Sequence, residues 1–338
     1  MNWVSENTQH TSHVIMSKST DTKKSAAILN AALSEHRAHE LVADGIGRRD
    51  VVEVDADASI IDAAETLWSK NVMGAPLYDR AQKKYIGFFD SRDVLKCLVA
   101  DLGEGEAAHT SFRSSFSEAL KKLRGNETST GMTLRSLAAR RPFASCKDDN
   151  KLISVCDMIS PDSCDRVAVV DKDGKISNVI SQSAIVSFLS AKVSRELLDE
   201  PLEDSGISYK KEVHSVLDKV NAAAAFVAMD AKGLNGMAVV DEEGALVANM
   251  SGRDIKVAVL DGGQTVDTDV LSYLAKVRQQ GHCTKTRHPK CSVLATETVG
   301  AIINKLATTG YHRIFVTANN KPTGVVSVSD IVNFAVGY

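Results

Sequence analysis

Four times along the chain, an apolar run rich in Val or Ile meets a short polar turn, a second apolar run and an apolar helical stretch. The segments are VMGAPLYDRAQKKYIGFFDSRDVLKCLV from Val72, CDRVAVVDKDGKISNVISQSAIVSFLS from Cys164, LNGMAVVDEEGALVANMSGRDIKVAV from Leu234 and YHRIFVTANNKPTGVVSVSDIVNFAV from Tyr311. Asp173-Gly174, Glu243-Gly244 and Asn319-Asn320 supply turn chemistry between the paired runs. Helical patterns precede the first and last copies. SIIDAAETLWSKN aligns Ile60, Ala64, Leu67 and Trp68, and ETVGAIINKLATTG aligns Val299, Ile302, Ile303 and Leu306. The repeating unit is helix, strand, turn, strand, helix, which predicts an α/β fold.

Other stretches fit around these units. Residues up to about Thr22 are rich in Ser, Thr, Asn and Lys and are expected to be disordered. A helix is expected over Lys24–Leu41, with Ile28, Leu29, Ala32 and Leu33 on its apolar face. Residues 101–131 read as a long polar surface connection, with a short helix near Phe116, Leu120 and Leu123. The organisation expected is an N-terminal segment and helix over 1–40, one pair of units over 41–192 and a second over 193–338.

Composition narrows the function. With 338 residues, 43% hydrophobic and 25% charged, the chain can build two domains. A net charge of −3 points away from a nucleic-acid binder, and charges interrupt every candidate membrane span. The opening MNWVSENTQHTSHVIMSK has no basic segment followed by a long apolar one, so no secretory leader is expected. Six cysteines without a CxxC pair suit reduced thiols, and a cytoplasmic location, with the nucleus also open. GHCTKTRHPKC gathers His282, Cys283, His288 and Cys291, but the spacing fits zinc poorly and no metal is expected. Walker, GxGxxG, HExxH and GxSxG motifs are absent, so no enzyme is expected.

The ends of the units carry the candidate chemistry. Asp93, Asp254 and Asp330 recur where the last helix begins, preceded by Ser91, Ser251, and Ser327 with Ser329. Such residues cap helices, since their oxygens accept from free N–H groups in the first turn. Repetition of a two-oxygen acceptor also suits a ribose, whose adjacent hydroxyls one carboxylate can bind. Ala184 stands at this position in the second unit, which lacks the carboxylate.

These helix–strand–strand–helix repeats with their S-x-x-D junctions resemble CBS motifs, which pair as two Bateman modules packed as a disc. The order HRIFV…GVVSVSDIV in the last and APLYD…GFFDSRDVL in the first is especially similar to the gamma regulatory subunits of AMP-activated protein kinase. The resemblance implies ribose binding by Asp93, Asp254 and Asp330, assisted by Ser91, Ser251, Ser327 and Ser329. It implies phosphate contacts from His312, Arg313 and Arg166. Met73, Asp165 and Asn235 stand at the positions that match His312 in the other units. The function expected is regulatory, with AMP, ADP or ATP as ligand and no catalytic cofactor. Kinase catalytic and scaffold subunits are the expected partners, with homodimerisation open. The alternative is an orphan CBS-domain interaction scaffold, a phosphatase or stress regulator with little nucleotide dependence.

Overall fold

The computed structural model describes residues 24–43, 51–102, 112–128, 130–159, 164–279 and 289–337. The N-terminal segment expected to be disordered, up to about Thr22, lies outside them. Two helices come first, α1 (Lys24–Glu35) and α2 (Ala38–Ala43), broken at His36-Arg37, where a single helix was expected. Unit 1 is β1 (Val54–Asp55), α3 (Ile60–Ser69), β2 (Gly74–Asp79), β3 (Lys84–Asp90) and α4 (Asp93–Leu102). The connection holds α5 (Phe112–Gly125) and α6 (Leu134–Ala138). Unit 2 is β4 (Ser145–Lys147), α7 (Leu152–Met158), β5 (Arg166–Val170), β6 (Ile176–Ser181) and α8 (Gln182–Lys192), followed by α9 (Leu202–Ser205). Unit 3 is β7 (Ser215–Leu217), α10 (Ala222–Ala231), β8 (Gly236–Val240), β9 (Leu246–Ser251) and α11 (Ile255–Leu260), followed by α12 (Val270–Gln279). Unit 4 is β10 (Ser292–Val293), α13 (Val299–Thr309), β11 (Arg313–Ala318), β12 (Lys321–Ser327) and α14 (Val328–Val336).

Each unit makes one three-stranded sheet, a parallel pair followed by an antiparallel hairpin. The period-two apolar runs explain the strands, and the polar turns explain the hairpins. Asn319 and Asn320 both adopt positive φ, 49° and 66°, as the tightest of these turns requires. All four hairpins shift register at the same place, after Leu77, Val169, Val239 and Val316. Ser59, Asn221 and Thr298 cap α3, α10 and α13 with their side-chain oxygens.

Sheet faces pair the units in chain order. Phe88 of unit 1 packs with Ala168 and Ile176 of unit 2, with Phe143 stacked against Phe88 and Tyr85. Ala238, Val240 and Leu246 of unit 3 pack with Phe315 of unit 4. The two large cores run the other way. One joins Ile60, Leu67 and Leu98 of unit 1 to Phe226 and Met250 of unit 3. The second joins Val155, Phe188 and Leu189 of unit 2 to Ile302, Ile303 and Ile331 of unit 4. The four units therefore close a ring in the order 1, 2, 4, 3.

Two sequence expectations change here. The connection after unit 1 is more than a surface linker, because α5 runs for 14 residues and sinks Phe116, Leu120 and Leu123 into the unit 1–unit 3 core. The N-terminal helix is likewise part of the core. Leu29 and Leu33 of α1 are fully buried against units 2 and 4, and Asn30 Nδ2 donates to Ala335 O at 3.0 Å.

Candidate functional site

The hairpin registers place the junction residues on a common frame. Gly74 pairs with Asp90, Arg166 with Ser181, Gly236 with Ser251 and Arg313 with Ser327. One step back, Ser91 N, Gly252 N and Val328 N donate to Met73 O, Asn235 O and His312 O. Asp90, and not Ser91, is therefore the residue equivalent to Ser251 and Ser327. Ser91 is buried one position further on, with its Oγ 4.0 Å from Met73 Sδ, so its expected pairing with the ribose carboxylate does not follow from equivalence.

The reciprocal cap is complete at the Asp254 and Asp330 junctions, and half of it is present at Asp93. Asp330 Oδ2 accepts from Ser327 N at 2.8 Å and Ser327 Oγ at 2.7 Å, while Asp330 N donates back to Ser327 Oγ. Ser329 Oγ sits 2.8 Å from Ser327 Oγ. Asp254 Oδ2 accepts from Ser251 N at 2.6 Å and Ser251 Oγ at 3.0 Å. Tyr273 OH, fully buried, donates to Asp254 O at 2.6 Å and pins the same turn. Asp93 Oδ2 accepts from Asp90 N at 3.2 Å.

Two of these carboxylates also meet a cation carried by the segment that leads into the neighbouring unit. Arg141 Nη1 lies 2.5 Å from Asp93 Oδ2, and Lys211 Nζ lies 2.5 Å from Asp330 Oδ1. The lead-ins are held against the hairpins by backbone bonds, Phe88 N to Arg141 O at 3.0 Å and Val325 N to Tyr209 O at 2.9 Å. The Asp330 side chain is 14% exposed against 7% for Asp93, and its cation is a lysine on a flexible stem. The fourth junction is thus the more accessible of the two.

The two arginines at strand starts occupy equivalent places and differ in their partners. Arg166 crosses from unit 2 to lie over Gly74 of unit 1, where a Cβ would meet Arg166 Nη1 at 2.1 Å. Its guanidinium pairs with Asp90 and is buried, so a phosphate at Arg166 would have to displace that carboxylate. Arg313 crosses from unit 4 to lie over Gly236 of unit 3 in the same way. It donates from Nη1 to Gly236 O at 3.0 Å, and among the described residues no carboxylate is within ion-pair distance of it. Burial pushes its guanidinium down to about 10, with nearby Arg92 adding to the fall and Asp330 opposing it.

Arg92 and Arg253 repeat this contrast. Arg92 forks onto Asp90, Nε to Oδ1 at 2.8 Å and Nη2 to Oδ2 at 3.1 Å, and also reaches Asp165. Arg253 Nη2 reaches the ring nitrogens of His312, the residue equivalent to Asp165. Sequence reasoning missed Asp90, Arg92, Arg141, Lys211 and Arg253. The only signal was the D-S-R-D and S-G-R-D spelling of the two junctions, which register alone resolves.

A cavity of about 460 Å³ lined by Val247, Lys290, Lys305, Thr309 and Tyr311 contains none of these residues. Of the His282–Cys291 loop, His282, Cys283 and His288 lie outside the described residues, and Cys291 is buried at the start of β10. Among the described residues, no group of three or more His, Cys, Asp or Glu could hold a metal ion.

The SNF1-related protein kinase regulatory subunit gamma-1-like protein of Arabidopsis thaliana is 26% identical over 253 residues, which is 70% of this chain and 56% of that protein. Protein sds23 of Aspergillus clavatus is 24% identical over 285 residues, 81% of this chain and 54% of that protein. The chain thus spans about half the length of these curated relatives. Protein MJ1225 of Methanocaldococcus jannaschii superposes with a TM-score of 0.61 at 12% identity, over 86% of this chain and 98% of that one, and so shares its fold. The family model for the CBS domain matches residues 42–100, 134–191 and 286–337, which cover units 1, 2 and 4. Unit 3 repeats the same strand order and register, and the chain belongs to the CBS-domain family.

Proposed function

We propose that the chain is a regulatory protein that binds an adenine nucleotide, AMP, ADP or ATP, at the fourth junction. The observation that carries this reading is Arg313, a half-buried guanidinium near Asp330 that donates to the Gly236 carbonyl and meets no carboxylate among the described residues. A guanidinium in that state gains a charge-assisted fork from a phosphate. Ribose hydroxyls would take Asp330 Oδ1 in place of Lys211, with Ser327 and Ser329 beside it, and His312 would join Arg313 on the phosphate. The relative named as a protein kinase regulatory subunit gamma-1-like protein favours a kinase complex as the partner. A scaffold role with little nucleotide dependence is the second reading, favoured by the Asp93–Arg141 and Asp330–Lys211 pairs, which already satisfy two ribose carboxylates.

Titration of the purified chain and two variants tests this. Asp330→Ala should weaken adenosine, AMP and ADP alike, by about 10- to 100-fold, because one or two charge-assisted hydrogen bonds are lost. Arg313→Gln should weaken AMP and ADP, spare adenosine, and matter less at high salt. If Asp330→Ala melts earlier yet binds AMP as tightly as the parent, the carboxylate is only a cap and the reading fails.

A further inference from the structure

The two halves of the ring carry the same basic frame with different residues set around it. In units 1 and 2, Arg92 and Arg166 face Asp90 and Asp165. In units 3 and 4, the equivalent Arg253 reaches the His312 ring and Arg313 donates to Gly236 O, while Ser251 stands at the position of Asp90. Units 2 and 4 also carry serine at the Asp90 position, as Ser181 and Ser327. Asp90 is the exception among the four.

Its surroundings are those of a bound anion. The carboxylate is 2% exposed and accepts from Arg92 N at 2.9 Å, from the Arg92 fork at 2.8 and 3.1 Å, and from Arg166 Nη2. Burial alone would raise its pKa, but Arg92 and Arg166 outweigh that and hold it well below the ordinary carboxylate range. Arg141 stands close, paired with Asp93 and with Asp165 at 3.3 Å. Two guanidiniums and a backbone N–H converging on two oxygens are what an oxyanion such as phosphate would be offered.

We propose that Asp90 is a built-in anion that fills the phosphate position between units 1 and 2, so that this half of the ring holds its arginines without a ligand. It is a specificity-determining residue, restricting phosphate binding to the half built from units 3 and 4. The inference shares one premise with the proposed function, that an arginine set between paired units takes a phosphate. It does not require that the parent chain bind nucleotide.

Asp90→Ser, which installs the residue found at the other three positions, tests it. The parent and the variant are titrated by calorimetry with AMP and with inorganic phosphate, and melted with and without phosphate. Asp90→Ser should melt earlier in phosphate-free buffer, because Arg166 and Arg92 lose their shared counter-charge. It should bind one equivalent more than the parent, and phosphate at 100 times its Kd should raise its Tm by about 4 °C above any rise in the parent. Adding Arg166→Ala to Asp90→Ser should abolish the extra equivalent. Should Asp90→Ser fail to fold, Asp90→Asn keeps the shape, removes the charge and is read the same way. A folded variant with the parent's stoichiometry and no phosphate-dependent rise overturns the inference, as does an extra equivalent that survives loss of Arg166. The parent's own stoichiometry judges the proposed function, and the difference between variant and parent judges Asp90.

Discussion

Single side chains in this molecule are governed by who shares their charge. Asp79 is a buried carboxylate at the end of β2, met by Arg135 Nη1 at 2.5 Å and by Gln82 N at 2.9 Å. The Arg135 hydrogen bond, then that of Gln82, lowers its pKa to about 2. An unfolded aspartate titrates near 3.9, so the unfolded chain binds the extra proton between those values. The stability Asp79 contributes is complete above about pH 4 and is lost as the pH falls toward 2. Arg135→Met should therefore flatten the acid limb of a Tm-against-pH curve between pH 4 and 2. An unchanged limb would show that other carboxylates control acid unfolding.

At the scale of elements, the close approach of lead-in to hairpin sets the junction geometry. A Cβ on Gly324 in β12 would meet Tyr209 O at 2.4 Å, and one on Gly87 in β3 would meet Ala138 O and Arg141 O at 2.7 Å. Neither glycine has a positive φ, so space and not backbone freedom demands it. Gly324→Ala must push away the strap that carries Lys211, and Gly87→Ala the one that carries Arg141. Each should cost about 1–3 kcal/mol in urea unfolding, as overpacking does. Gly174→Ala provides the contrast, since its Cβ would meet nothing within 4 Å and only its φ of 77° is at stake. If Gly324→Ala and Gly87→Ala keep the parent's urea midpoint, the straps are not tightly seated.

The elements also show where a sequence stops being readable. The four hairpins were legible because alternating apolar positions and turn residues are local signals. The position of the helix cap in unit 1 was not, because Asp90, Ser91 and Asp93 offer competing oxygens within four residues. Only the pairing of Gly74 with Asp90 decides between them. Arg141 and Lys211 were hidden for another reason, since they sit 48 and 119 residues from the carboxylates they meet. Arg166 was expected at a phosphate only from the resemblance, and its carboxylate partner lies 76 residues away in another unit. The burial of α1 was equally out of reach, because its contact with Ala335 spans 305 residues.

For the whole molecule, the ring closure 1, 2, 4, 3 means that chain order and core order differ. A cut after Lys192 would leave the sheet-to-sheet contacts of units 1 and 2 intact, and those of units 3 and 4. It would also divide both large cores, since α10 packs on α4, α13 and α14 pack on α8, and α1 packs on α14. Leu67, Phe188, Phe226, Ile302 and Ile331 are among the side chains at most 1% exposed in those cores. Each fully buried side chain of this kind contributes about 1.5–3 kcal/mol relative to exposure, and domains keep only about 5–15 kcal/mol of net stability. The small sheet clusters cannot replace that loss. Expressed alone, residues 1–192 and 193–338 should each bind a hydrophobic dye or self-associate through the exposed helices. Mixed in equal amounts, they should form a one-to-one complex that melts in a single transition near the parent's Tm. Chromatography with light scattering and dye fluorescence reads the result. Two monomeric halves that leave the dye dark and melt at the parent's temperature would show that each pair of units is a self-sufficient domain, and that the ring is held together by little more than its connection.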